Sequence, residues 1–470
     1  MSDIAELTIT PENAGPRVRG TGMAAWIAEG RALGKLALPL IATQLSQMAI
    51  MTTDIVMLGR VDKIALAGAA LGNTVFFLCW LIGMGPSAAV SPMIAHLLGA
   101  RPGDRAGVRA ITRMGFWSIG FLSLPLIGIL LGTESILLMF DQQPELAHAA
   151  GQFTAILCFG MPFSLFFLVQ RNFVTALGRP RAALIVMVMT IFFNALGDYT
   201  LIFGHFGFPA MGLRGSAIAT SLSYLFNFAV MQIVIQRTPS LRLYRIFRRF
   251  HRPHWEKLAE IFRLGVPIGM TAIFEAMMFN ASTLIMGTFS AASVAAHQIA
   301  LNVPSITFMV PLGIATAATV RVGLAAGARD GDAVRRAGYS ALIMSTVFMS
   351  ICSVVLIVFP RQIANLYFPA DSGNGDVVAL TITFLQIAAA FQIVDGIQVV
   401  AALALRGLKD ARAPMWIAGG CYWLIGFPTC AILGLWLNWR GLGVWIGLAV
   451  GLTAAAVAMC WRFWWLSKDR

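Results

Sequence analysis

Four acidic side chains lie inside long apolar stretches of this 470-residue sequence, namely Asp54, Asp198, Glu275 and Asp395. A carboxylate in hydrocarbon costs several kcal/mol unless it is neutralised or paired. No Lys or Arg falls in the interior of the stretches beside them, so we expect an external counter-charge: a proton, a metal cation or a cationic substrate. Burial favours the neutral form of a carboxyl, which can take up a proton on one side of a membrane and release it on the other.

These residues therefore indicate a cation pathway. The alternative for each carboxyl is a permanently protonated group that joins two helices by a hydrogen bond.

Amide side chains accompany the two acids of the first half. Gln47 and Asp54 are seven residues apart and share one face of a helix. Asn194 and Asp198 are four apart, so the amide could hold the carboxyl or complete an ion shell. We expect Asp54 and Asp198 to form a pair, with Asn194 beside them and Gln47 and Asp54 in contact with substrate.

The second half carries a similar set. Gln392 and Asp395 are three residues apart, and Glu275 lies near the middle of its own apolar stretch. Shells made only of oxygen ligands suit hard cations, so Glu275 and Asp395 form a candidate sodium site. Gln298 and Asn302, four apart, are candidates for lining a substrate cavity together with Glu275 and Gln392.

The composition requires a membrane around these residues. Hydrophobic residues make up 58% of the chain and charged residues 12%, against roughly 25% charged in an average soluble domain. A membrane-spanning helix needs about 20 mostly apolar residues. Twelve such stretches are centred near residues 47, 82, 120, 160, 192, 225, 272, 305, 345, 390, 424 and 454. We expect an all-α integral membrane protein that contacts the lipid bilayer along most of its length.

The positive charge follows the connections between the spans. All but five of the 34 Lys and Arg fall in the two tails and the even-numbered hairpins. The five exceptions are Arg60, Lys63, Arg214, Arg361 and Arg440. The positive-inside rule then puts both termini in the cytoplasm. The net charge of +13 therefore reports orientation, and we expect no nucleic-acid partner.

The chain contains an internal repeat. At a shift of 228 residues Pro39 falls on Pro267, and "GARPGD" (99–104) falls on "GARDGD" (327–332). Six spans separate the copies, so both halves enter the membrane in the same direction, a plan common among secondary transporters. We expect two parallel six-helix lobes around a central cavity. The predicted segments are a cytoplasmic tail 1–32, an N-lobe 33–237, a basic cytoplasmic linker 238–257, a C-lobe 258–466 and a tail 467–470.

Several strings resemble the multidrug and toxic compound extrusion transporters, and among them the bacterial NorM-type branch. They are "PLIATQLSQMAIMTTDIVMLG" (39–59), "NALGDYTLIFG" (194–204), "GLRGSAIAT" (212–220), "GVPIGMTAIFEAMMF" (265–279), "AAHQIALN" (295–302) and "GIATAATVRVGLAAGARD" (313–330). The resemblance covers the chain after its N-terminal tail.

This resemblance implies two lobes that alternate between facing out and facing in. It further implies export of lipophilic organic cations by antiport with protons or sodium, in a bacterial inner membrane. Asp54, Asn194 and Asp198 match the family's N-lobe cation site, and Glu275 and Asp395 match the acidic pair of the C-lobe. We expect a monomer without enzymatic activity or cofactor. Because both acidic sets are present, the sequence leaves the coupling lobe and the ion open.

Two other functions fit parts of the pattern. A lipid-linked oligosaccharide flippase shares the repeat, but it should place basic residues in its cavity for a diphosphate. We expect the cavity spans of this chain to hold only acids. An intramembrane aspartyl protease also uses two buried carboxylates. The Gly-Asp of "ALGDYT" (195–200) looks like part of that family's G-x-G-D signature, but position 195 is Ala.

Overall fold

The computed structural model describes residues 22–59, 63–248, 250–367 and 375–468, and the long segments among them are helical. Twelve helices there are long and apolar enough to cross a membrane. They are α1 (Met23–Leu58), α2 (Lys63–Ala100), α3 (Arg105–Leu131), α5 (Pro144–Ala176), α6 (Pro180–Phe203), α7 (Gly212–Arg237), α9 (Trp255–Gly287), α10 (Ala291–Gly327), α11 (Gly331–Val358), α13 (Gly375–Gly407), α14 (Arg412–Trp436) and α15 (Arg440–Lys468). Each of the twelve predicted spans coincides with one of these helices, so the all-α membrane fold is confirmed.

Three short helices complete the order: α4 (Thr133–Met139), α8 (Pro239–Arg242) and α12 (Pro360–Tyr367). In each half, three long helices are followed by a short one and then by three more long ones. The third helix of each half begins with the same cap. The Asp104 carboxylate accepts from Gly107 N–H at 2.8 Å, and the Asp330 carboxylate accepts from Ala333 N–H at 2.9 Å. An aspartate cap satisfies N–H groups that a helix start leaves without partners. The capping residue is the sixth of "GARPGD" but the fourth of "GARDGD", so the two halves cap the third helix from positions that differ by two residues.

The chain forms two compact units. The first contains Ala42–Gly269, and the second contains residues 22–41 together with 270–468. From the sequence we expected the first and seventh spans to lie whole within their lobes, but the structure divides both α1 and α9 between the units. The first 21 residues of the predicted tail lie outside the described part, and α1 already begins at Met23.

The first half of α1 packs into the core of the second unit. Leu33, Ala37 and Leu40, spaced to share a helix face, are buried there. Glu29 also pairs with Arg321 of α10: Nε and Nη2 of the guanidinium donate to the two carboxylate oxygens, the second over 2.6 Å. Apolar packing and a two-point ion pair thus fix this part of α1.

Two glycines permit reciprocal close approaches. A Cβ on Gly85 of α2 would lie 2.8 Å from the backbone nitrogen of Gly269, and a Cβ on Gly313 of α10 would lie 2.8 Å from that of Ile41. Gly85 and Gly313, like Ile41 and Gly269, are 228 residues apart, which is the shift of the sequence repeat. Each half therefore packs the second helix of its own repeat against the first helix of the other repeat, and glycine leaves room for that backbone.

The basic connection before α9 docks on α3 of the first unit. Arg109 Nε donates to Tyr244 O at 2.7 Å, and Trp117 Nε1 donates to Phe250 O at 3.0 Å. Arg113 lies between them on the helix and donates to a third carbonyl of the connection at 3.4 Å. Residues spaced by four share a helix face, so one stripe of α3 satisfies a run of carbonyls that no regular structure pairs.

Candidate cation sites

Three helices of the first unit bring its acidic pair together. Asp54 lies on the second half of α1, Asn194 and Asp198 lie one turn apart on α6, and Thr220 lies on α7. Asn194 and Asp198 are fully buried, whereas Asp54 is half-buried. A four-residue spacing turns the α6 amide and carboxyl to one side of the helix, as expected from the sequence.

The Asp54 carboxyl has few hydrogen-bond donors. Thr220 Oγ1 donates to Asp54 Oδ2 at 3.4 Å, a long hydrogen bond. The side chains of Asn194 and Asp198 lie close enough to interact with Asp54. Within the described residues, however, neither Asp198 oxygen nor Asp54 Oδ1 meets a donor in hydrogen-bonding geometry.

Two neighbouring carboxyls that share a single long hydrogen bond favour the uptake of a positive charge. Like charges at close range disfavour joint ionisation, so one proton shared by both groups relieves the repulsion. A bound cation that takes its ligands from both carboxyls and the Thr220 hydroxyl has the same effect. The arrangement can therefore exchange one kind of cation for another.

The second unit holds the other acidic pair in different surroundings. Glu275 of α9 is half-buried, Asp395 of α13 is 6% exposed, and the two interact electrostatically. Arg406, near the end of α13, interacts with Glu275. The fully buried Tyr422 lies in a π-helical segment of α14 (Cys421–Gly426), within electrostatic range of both acids. Such π-helical segments occur often at functional sites.

The predicted amides of the second unit are spread out. Gln392 is buried, and its Oε1 accepts from Thr307 Oγ1 at 3.0 Å. Gln298 and Asn302 are exposed on α10. Asn302 Oδ1 accepts from the Tyr367 hydroxyl of α12 at 2.9 Å. In the part of the chain that the structure describes, no hydrogen bond joins Gln298 or Asn302 to the acidic pair, and their role as cavity-lining residues stays a prediction.

The expectation that no Arg lies beside the candidate residues is wrong. Arg171 of α5 donates to Gln44 Oε1 at 3.2 Å and to Gln47 Oε1 at 3.5 Å, and Arg406 faces Glu275. Both arginines were assigned to hairpins because about 20 residues suffice to cross the bilayer. Here α5 and α13 have 33 residues each and continue past these positions. Side chains on a helix lean toward its N-terminus, which allows a guanidinium at either position to reach back along its span.

This correction changes one exclusion. The candidate residues are not surrounded by acids alone, so charge does not exclude the flippase. The candidate sodium site at Glu275 and Asp395 stays a prediction. Across the described residues, no group of three or more His, Cys, Asp and Glu side chains could hold a metal ion.

Thr220, Arg171, Arg406 and Tyr422 were not among the predicted site residues. A signal existed only for Thr220, which ends the "GLRGSAIAT" string (212–220). Tyr422 is an apolar-looking residue of an apolar span, and only the packing of α14 places it near the acids.

Comparisons with known proteins identify relatives along nearly the whole chain. The MatE family model matches residues 39–200 and 267–432, one match in each repeat. A "Probable multidrug resistance protein NorM" of Mesorhizobium japonicum is 41% identical over 446 residues, which cover 95% of each chain. A "Multidrug resistance protein NorM" of Burkholderia vietnamiensis is 42% identical over 436 residues, covering 91% of this chain and 92% of the relative.

Solved structures show the same fold. A multidrug resistance MATE family transporter of the MOP superfamily, in an outward-facing conformation, aligns with a TM-score of 0.85 at 20% identity. The alignment covers 94% of this chain and 97% of that one. At this identity the likeness concerns the fold alone.

Proposed function

This chain belongs to the MatE family of multidrug and toxic compound extrusion transporters, and from that premise we propose that it exports lipophilic organic cations by antiport with protons or sodium ions. It is a multidrug efflux transporter of the NorM type and not an enzyme. It is also a multi-pass membrane protein. The proposal further places it in the bacterial inner membrane as a monomer, with both termini in the cytoplasm.

One observation carries the antiport proposal: among the described residues, the long hydrogen bond from the Thr220 hydroxyl is the only one that reaches an oxygen of the neighbouring Asp54 and Asp198 carboxyls in hydrogen-bonding geometry. A permanent structural role would call for donors on the remaining oxygens, because buried polar groups without partners are costly. Asn194 and Asp198 of α6 are completely buried, whereas Asp54 is half-buried. The positive charge that neutralises the pair is therefore either a small ion that reaches the buried side chains or a cation that binds at Asp54.

The charge balance favours the first unit as the coupling site. Glu275 interacts with the guanidinium of Arg406, which offsets part of the negative charge in the second unit. Asp54 and Asp198 have no such partner among the described residues. The pair with the larger uncompensated negative charge responds more strongly to a proton or a sodium ion.

The mechanism is a competition for the same negative charge. A proton or sodium ion that enters from outside neutralises the carboxyl pair and weakens the attraction for a bound organic cation, which leaves outward. Linkage makes the effect reciprocal, so the organic cation expels the coupling ion on the inner side. Alternating access between outward-facing and inward-facing states turns this competition into export.

Efflux from proteoliposomes tests the proposal. Purified protein is reconstituted, the vesicles are loaded with a fluorescent lipophilic cation, and a proton gradient or a sodium gradient is imposed separately. We expect one gradient to drive efflux by the wild type. Asp54→Asn should abolish that efflux, because an amide cannot bind a proton or attract a cation in the same way. Asp395→Asn should retain a larger share of it.

A matched control guards against a general effect of removing a carboxylate. Asp332 has a side chain that is 63% exposed at the start of α11, so Asp332→Asn should transport like the wild type. If Asp395→Asn abolishes efflux and Asp54→Asn does not, the second unit holds the coupling site. If neither gradient moves the cation in the wild type, the antiport proposal fails and a flippase becomes the better reading of the fold.

A further inference from the structure

Arg171 is a cation inside a span, and its orientation is fixed by amides. It lies on α5, 27 residues after the helix begins at Pro144. Both of its hydrogen bonds use the same nitrogen: Nη1 donates to Gln44 Oε1 at 3.2 Å and to Gln47 Oε1 at 3.5 Å. The guanidinium is thus held against α1 by two neutral acceptors.

No carboxylate of the described chain forms an ion pair with Arg171. Arginine keeps its charge in proteins, and a charge within a membrane span is costly unless it is paired. Another arginine inside a span has found a partner: Arg321 makes a two-point ion pair with Glu29. Arg171 thus differs from Arg321, which has an ion pair, and from Arg406, which has Glu275 within electrostatic range.

The repeat shows what the missing partner is. At the 228-residue shift Gln47 of α1 corresponds to Glu275 of α9, and α5 corresponds to α13. Arg406 of α13 does not align with Arg171 itself: the alignment of "LGRPRA" (177–182) with "LKDARA" (408–413) sets Arg171 on Ala402, and Arg406 lies one helical turn further along the same face. In the second half, the residue at the position of Gln47 is a carboxylate that interacts with Arg406. In the first half, the same position is an amide that leaves Arg171 with its positive charge. One negative group is absent from the first unit where its repeat supplies one.

We propose that Arg171, oriented by Gln44 and Gln47, is a binding subsite for the carboxylate of substrates that carry both a positive and a negative charge. This inference rests on the proposed function, since it assigns the cationic end of the same substrate to Asp54. Gln47 and Asp54 share a face of α1 two turns apart, about 10 Å along the helix. One molecule can therefore reach both charged positions.

The geometry suits a carboxylate. With Nη1 occupied by the glutamines, Nε and Nη2 remain, and these two donors form a planar fork that matches the two oxygens of a carboxylate. Arg171 is partly exposed and Gln47 is exposed, so a ligand can reach the fork. A purely cationic substrate gains nothing from this subsite and is repelled by it.

The test compares two dyes that differ only in this charge. Tetramethylrhodamine has a free carboxylate and is a zwitterion, whereas its methyl ester is a cation of nearly the same shape. Binding of each to the purified full-length protein in detergent is measured by fluorescence anisotropy, with dye in empty micelles subtracted. The variants are Arg171→Gln, Arg171→Lys and the control Arg214→Gln, which alters an exposed arginine of α7 that donates to Gln152.

In Arg171→Gln, we expect the Kd of the zwitterion to rise about tenfold or more, the range for losing a charged hydrogen-bond partner. The Kd of the ester should stay within about twofold or fall, because a repulsive charge is removed. Arg171→Lys, which keeps the charge and loses the fork, should give an intermediate Kd for the zwitterion. Arg214→Gln should bind both dyes like the wild type.

Several results would overturn the subsite. Equal weakening of both dyes in Arg171→Gln would give Arg171 a structural role only, and an unchanged Kd of the zwitterion would remove its role in binding. If neither dye binds the wild type, the subsite and the proposed function both fail for this class. If the ester binds and the zwitterion shows no dependence on Arg171, the subsite alone fails and the proposed function stands.

Discussion

The ion pair between Glu29 and Arg321 gives a prediction whose size follows from the structure. Their side chains are 3% and 9% exposed, and two hydrogen bonds join them, one of 2.6 Å. Removing one partner of a buried pair leaves the other charge without compensation and costs about 3–5 kcal/mol. We therefore expect Glu29→Gln and Arg321→Gln each to lower the free energy of unfolding by about 3 kcal/mol. The double variant leaves no unpaired charge, so its loss should be smaller than either single loss.

Unfolding in mixed micelles with increasing dodecyl sulfate, followed by tryptophan fluorescence, measures these losses. The control is Asp332→Asn, which removes a surface pair with Arg335 of 3.4 Å and should cost less than about 1 kcal/mol. Losses that simply add in the double variant would refute the reasoning, because they would show that the two side chains do not depend on each other. Single losses no larger than that of the control would refute it as well.

Two further predictions concern the packing of the helices. Gly313→Ala should destabilise the protein by about 1–3 kcal/mol, since its Cβ would lie 2.8 Å from the backbone nitrogen of Ile41. Thermal inactivation measures this loss of stability. The control is Gly120→Ala, whose Cβ would meet nothing within 4 Å and which should lose no stability. Equal effects of the two substitutions would contradict the close approach. Trp117→Phe keeps an aromatic ring but removes the hydrogen bond to Phe250 O. Trypsin should therefore cleave the arginine-rich connection before α9 faster than in the wild type. An unchanged cleavage rate would show that this hydrogen bond does not hold the connection against α3.

The spans and the first acidic pair could be predicted because they depend on local properties. An apolar run of sufficient length has to form a helix in a bilayer, since only a helix satisfies its backbone there. The four-residue spacing of Asn194 and Asp198 is a property of that helix alone. The proximity of Asp54 to Asp198 is less local, and it could be predicted from charge, because two costly carboxylates need a common neutralising ion.

The two arginines beside the candidate residues could not be found in this way. A window of about 20 residues ends before Arg171 and Arg406, and the actual length of α5 and α13 depends on packing against neighbouring helices. The repeat indicates only that the partners differ, because Gln47 aligns with Glu275 and one is an amide whereas the other is an acid. What that partner is depends on a helix more than 120 residues away in each case.

The division of α1 and α9 between the two units was also beyond local reasoning. Both helices read as single spans, and a proline two residues before each division, Pro39 and Pro267, marks a position where a helix can bend. The prolines do not indicate which unit each half of the helix joins. Only the long-range partners distinguish the halves of α1: Leu33 and Leu40 are buried in the second unit, whereas Asp54 contacts α7 of the first.

The most direct test of the coupling site is a single substitution at its most buried member. Asp198 is fully buried, and Asp198→Asn keeps its shape while removing its negative charge. Gradient-driven efflux of a lipophilic cation should fall to the level of empty liposomes in this variant, although the purified protein elutes and melts like the wild type. Efflux by Asp198→Asn at the wild-type rate, under the same proton or sodium gradient, would contradict the central claim that the Asp54–Asp198 pair exchanges one cation for another.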